Sequence, residues 1–215
     1  MGKVKEMSCS DKYTKVVDNM KFDETFILPF VREQLGSRAV AVLKEIWQRG
    51  FQRIPVGASF KEKYEVAYSD WICLMKSVYS FIRKQMGEDG IKKFERAEVE
   101  ALKKKNAGPT LVLLKLIGLF FPGRAFAMTA KQIAYQLQWL TPYSVPELTR
   151  NKAVLVIPHC KILDFHDTDA ICLVGCQSTY PMWVAEQFMV DMKCNRQGNS
   201  CTITLTHLWW NNWEP

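Results

Sequence analysis

Between Pro158 and Gln177 the chain reads PHCKILDFHDTDAICLVGCQ, which gathers His159, His166, Cys160, Cys172, Cys176, Asp164, Asp167 and Asp169. With Cys194, Cys201 and His207 included, all three histidines and five of the seven cysteines fall in the last 57 residues. Three chemistries compete for such a set: a soft-ligand metal site, an activated thiol with its base, or a reduced core that uses cysteine as a small hydrophobe. For a metal, Cys172 and Cys176 stand i,i+4 and could share a helical face, with His159, Cys160 or His166 completing a tetrahedron. The chain has no C-x-x-C knuckle and no closely spaced histidine pair, so no metal and no cofactor is expected.

As a nucleophile, Cys160 closes the β-branched run KAVLVIPHC and emerges into a loop, where a thiol can face a pocket. Only the thiolate attacks, so a neighbour must lower its pKa or take its proton. Side chains of adjacent strand residues point to opposite faces, which makes His166, beyond a turn, a better partner for Cys160 than His159. Asp164, Asp167 and Asp169 could orient the imidazole or act as bases. Acids in a DFHDTD loop also form Asx-turns and caps, and Asp169 directly precedes an apolar run that can start a helix near Ala170.

The elements that would position these residues change character midway. DETFILPFVREQLGSRAVAVLKEIWQRGFQ, from Asp23, has helical spacing interrupted at Pro29 and Gly36. The next helix starts at a Ser59 cap, carries Tyr64, Tyr68, Trp71, Cys73, Leu74, Val78, Phe81 and Ile82 as a broad stripe, and closes on Gly87. Cys73, inside that stripe, reads as packing. EDGIKKFERAEVEALKKK gives a further helix that ends at NAGP. PTLVLLKLIGLFFP is too short to span a bilayer and is broken by Lys115, so it reads as a buried core helix. IAYQLQWL, KAVLVIPHC and CTITLTHL have strand patterns, TPYSVPELTRN reads as turns, and YPMWVAEQFMVDM reads as helix. The expected class is α+β: a helical N-terminal half packed on a small, mostly antiparallel sheet from the C-terminal half.

Composition is that of a globular chain, with 48% hydrophobic and 24% charged residues in 215. One domain is expected, with 1–108 as a helical, basic front part and 109–215 as a core helix plus the Cys/His-rich sheet. The net charge of +7 sits in the front, where residues 1–108 hold 21 Lys and Arg against 15 acids and residues 109–215 hold 8 against 7. Lys and Glu alternate there at helix-pairing distance, so a solvated face is expected and no nucleic-acid partner. The first twenty residues have no apolar run of the secretory kind, which points to the cytoplasm and to free thiols. Trp209, Trp210 and Trp213 suit a homodimer contact, tail packing or stacking on a ligand.

AYQLQWL, KAVLVIPHCKI, a mid-segment Cys at 172 or 176, YPMWVAEQF and GNSCTITL together resemble the C-terminal half of the L-2-amino-thiazoline-4-carboxylic acid hydrolase-like family. YEVAYSDWICLMKSVYSFIRKQMGEDGIKKF is similar to that family's front helix and its Gly-acid-x-Gly elbow. The pattern spans Tyr64 to Leu205, and it departs from the family at Lys161, where a Pro usually follows the first Cys. The Gly198 and Cys201 ending is also similar to the 4-vinyl reductase domains, which are ligand-binding modules. The first resemblance implies ring opening of a small cyclic amidine or thiazoline-type carboxylate. Cys160, His166 and Asp164 would then do the chemistry, and Cys176, Cys201, His159, Arg150 and Trp183 would hold the substrate, with Lys152, Lys161 and Arg196 as further candidates for its carboxylate. The second resemblance implies binding or sensing of a small molecule without turnover.

Overall fold

The computed structural model describes residues 4–208. Trp209, Trp210 and Trp213 lie outside the described residues. The chain folds as helices α1 (Cys9–Leu35), α2 (Ser37–Gln48), α3 (Phe60–Lys105), α4 (Pro109–Phe120) and α5 (Pro122–Leu137), strands β1 (Ser144–Leu148) and β2 (Lys152–Ile157), helix α6 (Tyr180–Phe188), and strands β3 (Val190–Gln197) and β4 (Ser200–His207). The sheet runs β1-β2-β4-β3 and every neighbouring pair is antiparallel. This is the α+β architecture that the change of period implies.

Local chemistry explains the helix limits. Ser59 caps α3 by accepting from the Glu62 amide, and the Glu62 carboxylate accepts in return from the Ser59 amide at 2.8 Å. Gly87 sits at φ 68°, ψ −162°, so the long α3 bends there and resumes at once. Gly36, at φ 83°, makes the break between α1 and α2, whereas Pro29 is accommodated inside α1.

Aromatic side chains tie the helices to the far wall of the sheet half. Tyr64 and Tyr68 on α3 donate to the carbonyls of Trp139 and Leu140, at 2.7 and 2.8 Å, so α3 fixes the segment after α5. Trp71 and Trp139 meet edge to face with ring centroids 5.0 Å apart. Cys73 packs as expected: its Sγ lies 3.7 Å from the Trp47 carbonyl, and a Cβ at Gly50 would overlap it.

Four expectations fail. IAYQLQWL is not a strand; Ile133 to Leu137 complete α5, because Ala130 and Ala134, one helical turn apart, form the buried stripe that seats it. SVPEL is a strand instead of turns, and Val190 to Met192 begin strand β3 instead of extending the helix before them; both are edge strands. PTLVLLKLIGLF is helical, but it buries no residue and lies on the surface.

Candidate functional site

A cavity of about 460 Å³ lies between the sheet and helices α4, α5 and α6. Ile157, Ile203, Leu114, Ile133, Val184 and Met192 give its wall an apolar character, and Cys160, Cys172, Cys176, Cys194 and Cys201 all line it. The five cysteines of the sheet half therefore converge on one space. Several devices bring them there. Thr141, fully buried, accepts from the Lys161 amide at 3.2 Å and donates to the His159 carbonyl at 3.1 Å, which clamps the loop at Cys160. The Cys160 amide donates to the Asn199 carbonyl at 2.7 Å. Ile171–Thr179 wind as a π-helix, a rare form, and carry both Cys172 and Cys176 to the cavity. Cys201 on β4 stands opposite Arg196 on β3, and Cys194 lies diagonally across.

The electrostatics differ from thiol to thiol. Burial pushes the Cys160 and Cys176 thiols up, Cys176 strongly. Cys194 and Cys201 act on each other, which raises Cys194 and lowers Cys201; burial opposes the drop at Cys201 and the Arg196 guanidinium adds to it. Arg196 is held by Asp169 at 2.7 Å and by the Gly198 carbonyl at 2.9 Å. Among the described residues no group of His, Cys, Asp and Glu has an arrangement that could hold a metal ion.

The other sequence candidates are elsewhere. His159 and Asp164 pair with each other at 2.5 Å on the surface, and neither lines the cavity. His166 is exposed and also stays outside the lining; its carbonyl accepts from Lys76 at 2.9 Å. His207 is buried against the Phe126 ring. Asp169 is not a cap, since the helix it enters has no side-chain cap; it serves Arg196 instead. Arg150 packs against Gly123 away from the cavity, Lys152 pairs with Glu147, and Lys161 reaches Glu65 across the Tyr64 and Tyr68 rings. Trp183 does line the cavity and donates its indole N–H to Gln187. Of the sequence candidates for the site, Cys160, Cys172, Cys176, Cys201, Trp183 and Arg196 converge.

Other residues of the site were not foreseen. Lys15 from α1 and Lys105 from the end of α3 line the same cavity, and burial lowers both ammonium groups. Lys105 donates to Asn19 at 3.1 Å and sits over the Phe22 ring. Adjoining this space is a smaller cavity of about 30 Å³ that shares Asn19, Leu102, Trp139, Leu140, Cys176 and Tyr180 with it. Two buried acids line the smaller one. Desolvation pushes Asp23 up to about 7, against the opposing 3.0 Å hydrogen bond from the Trp71 indole. Desolvation, then the nearby Asp23, pushes Glu98 up to about 8. The Tyr79 hydroxyl is close enough to favour charged Glu98, but Tyr79 Oη and Glu98 Oε2 make no hydrogen bond among the described residues. The only sequence signal for these acids is their place on apolar helix faces, beside Phe26 and Phe30 and beside Phe94 and Leu102.

No protein-family model matches the chain, and no curated protein matches it. Among solved structures it is similar to a crystal structure of an Fe(II) unliganded H-NOX protein variant from K. algicida, at 11% identity and a TM-score of 0.37 over 86% of this chain and 94% of that one. A likeness at that level carries no functional argument.

Proposed function

We propose that the chain is a binding module for a small, largely apolar molecule that carries one anionic group, such as a carboxylate. The observation that carries this reading is the lining of the 460 Å³ cavity: apolar walls with Lys15, Lys105 and Arg196 and with no carboxylate or imidazole. A volume of that order suits a small-molecule ligand. An ammonium whose pKa is lowered by desolvation gains most when an anion joins it, which makes Lys15 and Lys105 the favoured anchors. The cytoplasm remains the expected compartment. The test compares a fluorescent fatty acid, cis-parinaric acid, with its alcohol. The acid should bind the purified protein at one per chain and more tightly than the alcohol. Lys15→Met with Lys105→Met should erase that preference. Equal affinity for acid and alcohol in the unaltered protein, or no saturable binding, would sink this reading.

A second reading adds turnover of a cyclic amidine or thiazoline-type carboxylate, the chemistry that the family resemblance implies. One observation favours it: Cys201, lowered by Cys194 and Arg196, is the cavity thiol best able to attack an imine-like carbon. Cys160 would then be a wall residue. Turnover of such a substrate that survives Cys160→Ser and is lost in Cys201→Ser would support this version; no turnover by the unaltered protein would leave binding alone.

A further inference from the structure

Helix α4 has two apolar faces. Leu111 and Leu114 turn inward and line the cavity, and the exposed Thr110 borders it. Val112, Leu113, Leu116, Leu119 and Phe120, followed by Phe121, are between 50% and 76% exposed. Their i, i+1, i+4, i+7, i+8 spacing makes one continuous outward stripe. A contiguous exposed apolar patch on a globular protein marks an interaction surface.

Charge decides what covers it. From Ala101 to Pro146 the chain carries six cations and no acid: Lys103, Lys104, Lys105, Lys115, Arg124 and Lys131. Lys103 is neutralised by Glu100 and Glu186, but Lys104, Lys115, Arg124 and Lys131 make no ion pair among the described residues. Pairing two copies through α4 would bring these cations against their own counterparts, so the partner must be anionic. The outer stripe also has no side chain that forms hydrogen bonds, and Lys115 stands at its edge. A protein interface needs about one hydrogen bond per 100–200 Å² to set its register, whereas a bilayer needs none. Twelve residues span only about 18 Å, and no described helix is long and apolar enough to cross a membrane. A helix of this kind lies in the plane of the bilayer interface.

We propose that α4, with the start of α5, docks the protein onto an anionic bilayer surface. The six apolar side chains enter the boundary between headgroups and acyl chains, and Lys104, Lys115 and Arg124 face lipid phosphates. This site is independent of the ligand reading, because none of the six apolar residues lines the cavity.

The experiment is co-sedimentation of the full chain with vesicles of phosphatidylcholine alone or mixed with phosphatidylserine, at low and high salt. Binding should require phosphatidylserine and weaken with salt. Lys104→Gln with Lys115→Gln should lower the partition coefficient at least about tenfold, since each cation near an anionic surface contributes about fivefold. Leu116→Gln with Leu119→Gln should abolish binding while leaving the thermal unfolding midpoint unchanged. No binding to either vesicle, or binding that both double variants leave intact, would overturn the proposal. So would a dimer in sedimentation equilibrium that Leu116→Gln with Leu119→Gln dissolves, in a protein that ignores vesicles.

Discussion

The two buried cavities and the solvated histidines and aspartates between His159 and Asp169 both gather chemistry-bearing groups, and burial separates them. In the loop, His159 meets Asp164 and Lys76 meets Asp167 at 3.3 Å, all in reach of water. Around the cavity, Cys160, Cys176, Asp23 and Glu98 are shifted by desolvation, and Cys201 is moved the other way by two specific neighbours. Density of reactive side chains in a sequence is thus a poor guide to a site. A solvated pair contributes little, whereas an enclosed one must be compensated or neutralised.

The acid pair should show the contrast most strongly. Both carboxyls have folded-state pKa values above their ordinary 3.8 and 4.5, so the native state holds protons that the unfolded chain has released. Their contribution is fully present below about pH 4 and is lost as pH rises through 7 to 8. The unfolding midpoint should therefore fall between pH 5 and 8.5 by an amount equivalent to several kcal/mol, and Glu98→Gln should flatten much of the slope. A pH-independent midpoint over that range would show the pair to be compensated in some other way.

Next in size, Ile133→Trp should fill part of the cavity and weaken cis-parinaric acid binding more than about tenfold, while His166→Ala leaves it unchanged. Loss of binding in His166→Ala would erase the division between wall and loop. Trp71→Phe strips Asp23 of its indole donor and should cost about 1–3 kcal/mol in denaturant unfolding, the penalty for a buried acceptor left unmade. Iodoacetamide should label Cys201 ahead of Cys160, Cys172, Cys176 and Cys194, as read by peptide mass mapping; faster labelling of Cys160 would restore it as the activated thiol. Smallest of all, Asp164→Asn should change stability by less than about 1 kcal/mol, because the His159 pair is exposed.

The elements most legible in the sequence were those whose signal is local. The Ser59 cap, the interruption at Gly87, where the chain bends within α3 and does not end, and the alternation of β4 each depend on a few adjacent residues. IAYQLQWL misled because its alternation coexists with a helical stripe, and only the partners of Ala130 and Ala134 choose between them. Cys160 and Cys201 meet because β2 pairs with β4, and the π-helix adds Cys176. Lys15, Asp23, Glu98 and Lys105 come from helices far away in the chain, and no spacing rule links them to the thiols.

The π-helical turn at Ile171–Thr179 has a consequence for how this chain can change over time. Such a segment holds more residues per turn than the α-helix it joins, so it can absorb the loss of one residue by tightening. Removing Leu173, which faces solvent, would leave a helix that still connects to α6, while the residues before the deletion rotate relative to those after it. Cys172 and Cys176 would then stand i,i+3 and still share a helix face, but Cys172 would turn relative to Cys160 and Cys201. A single-codon deletion is thus enough to change which thiols face the cavity together without dismantling the fold.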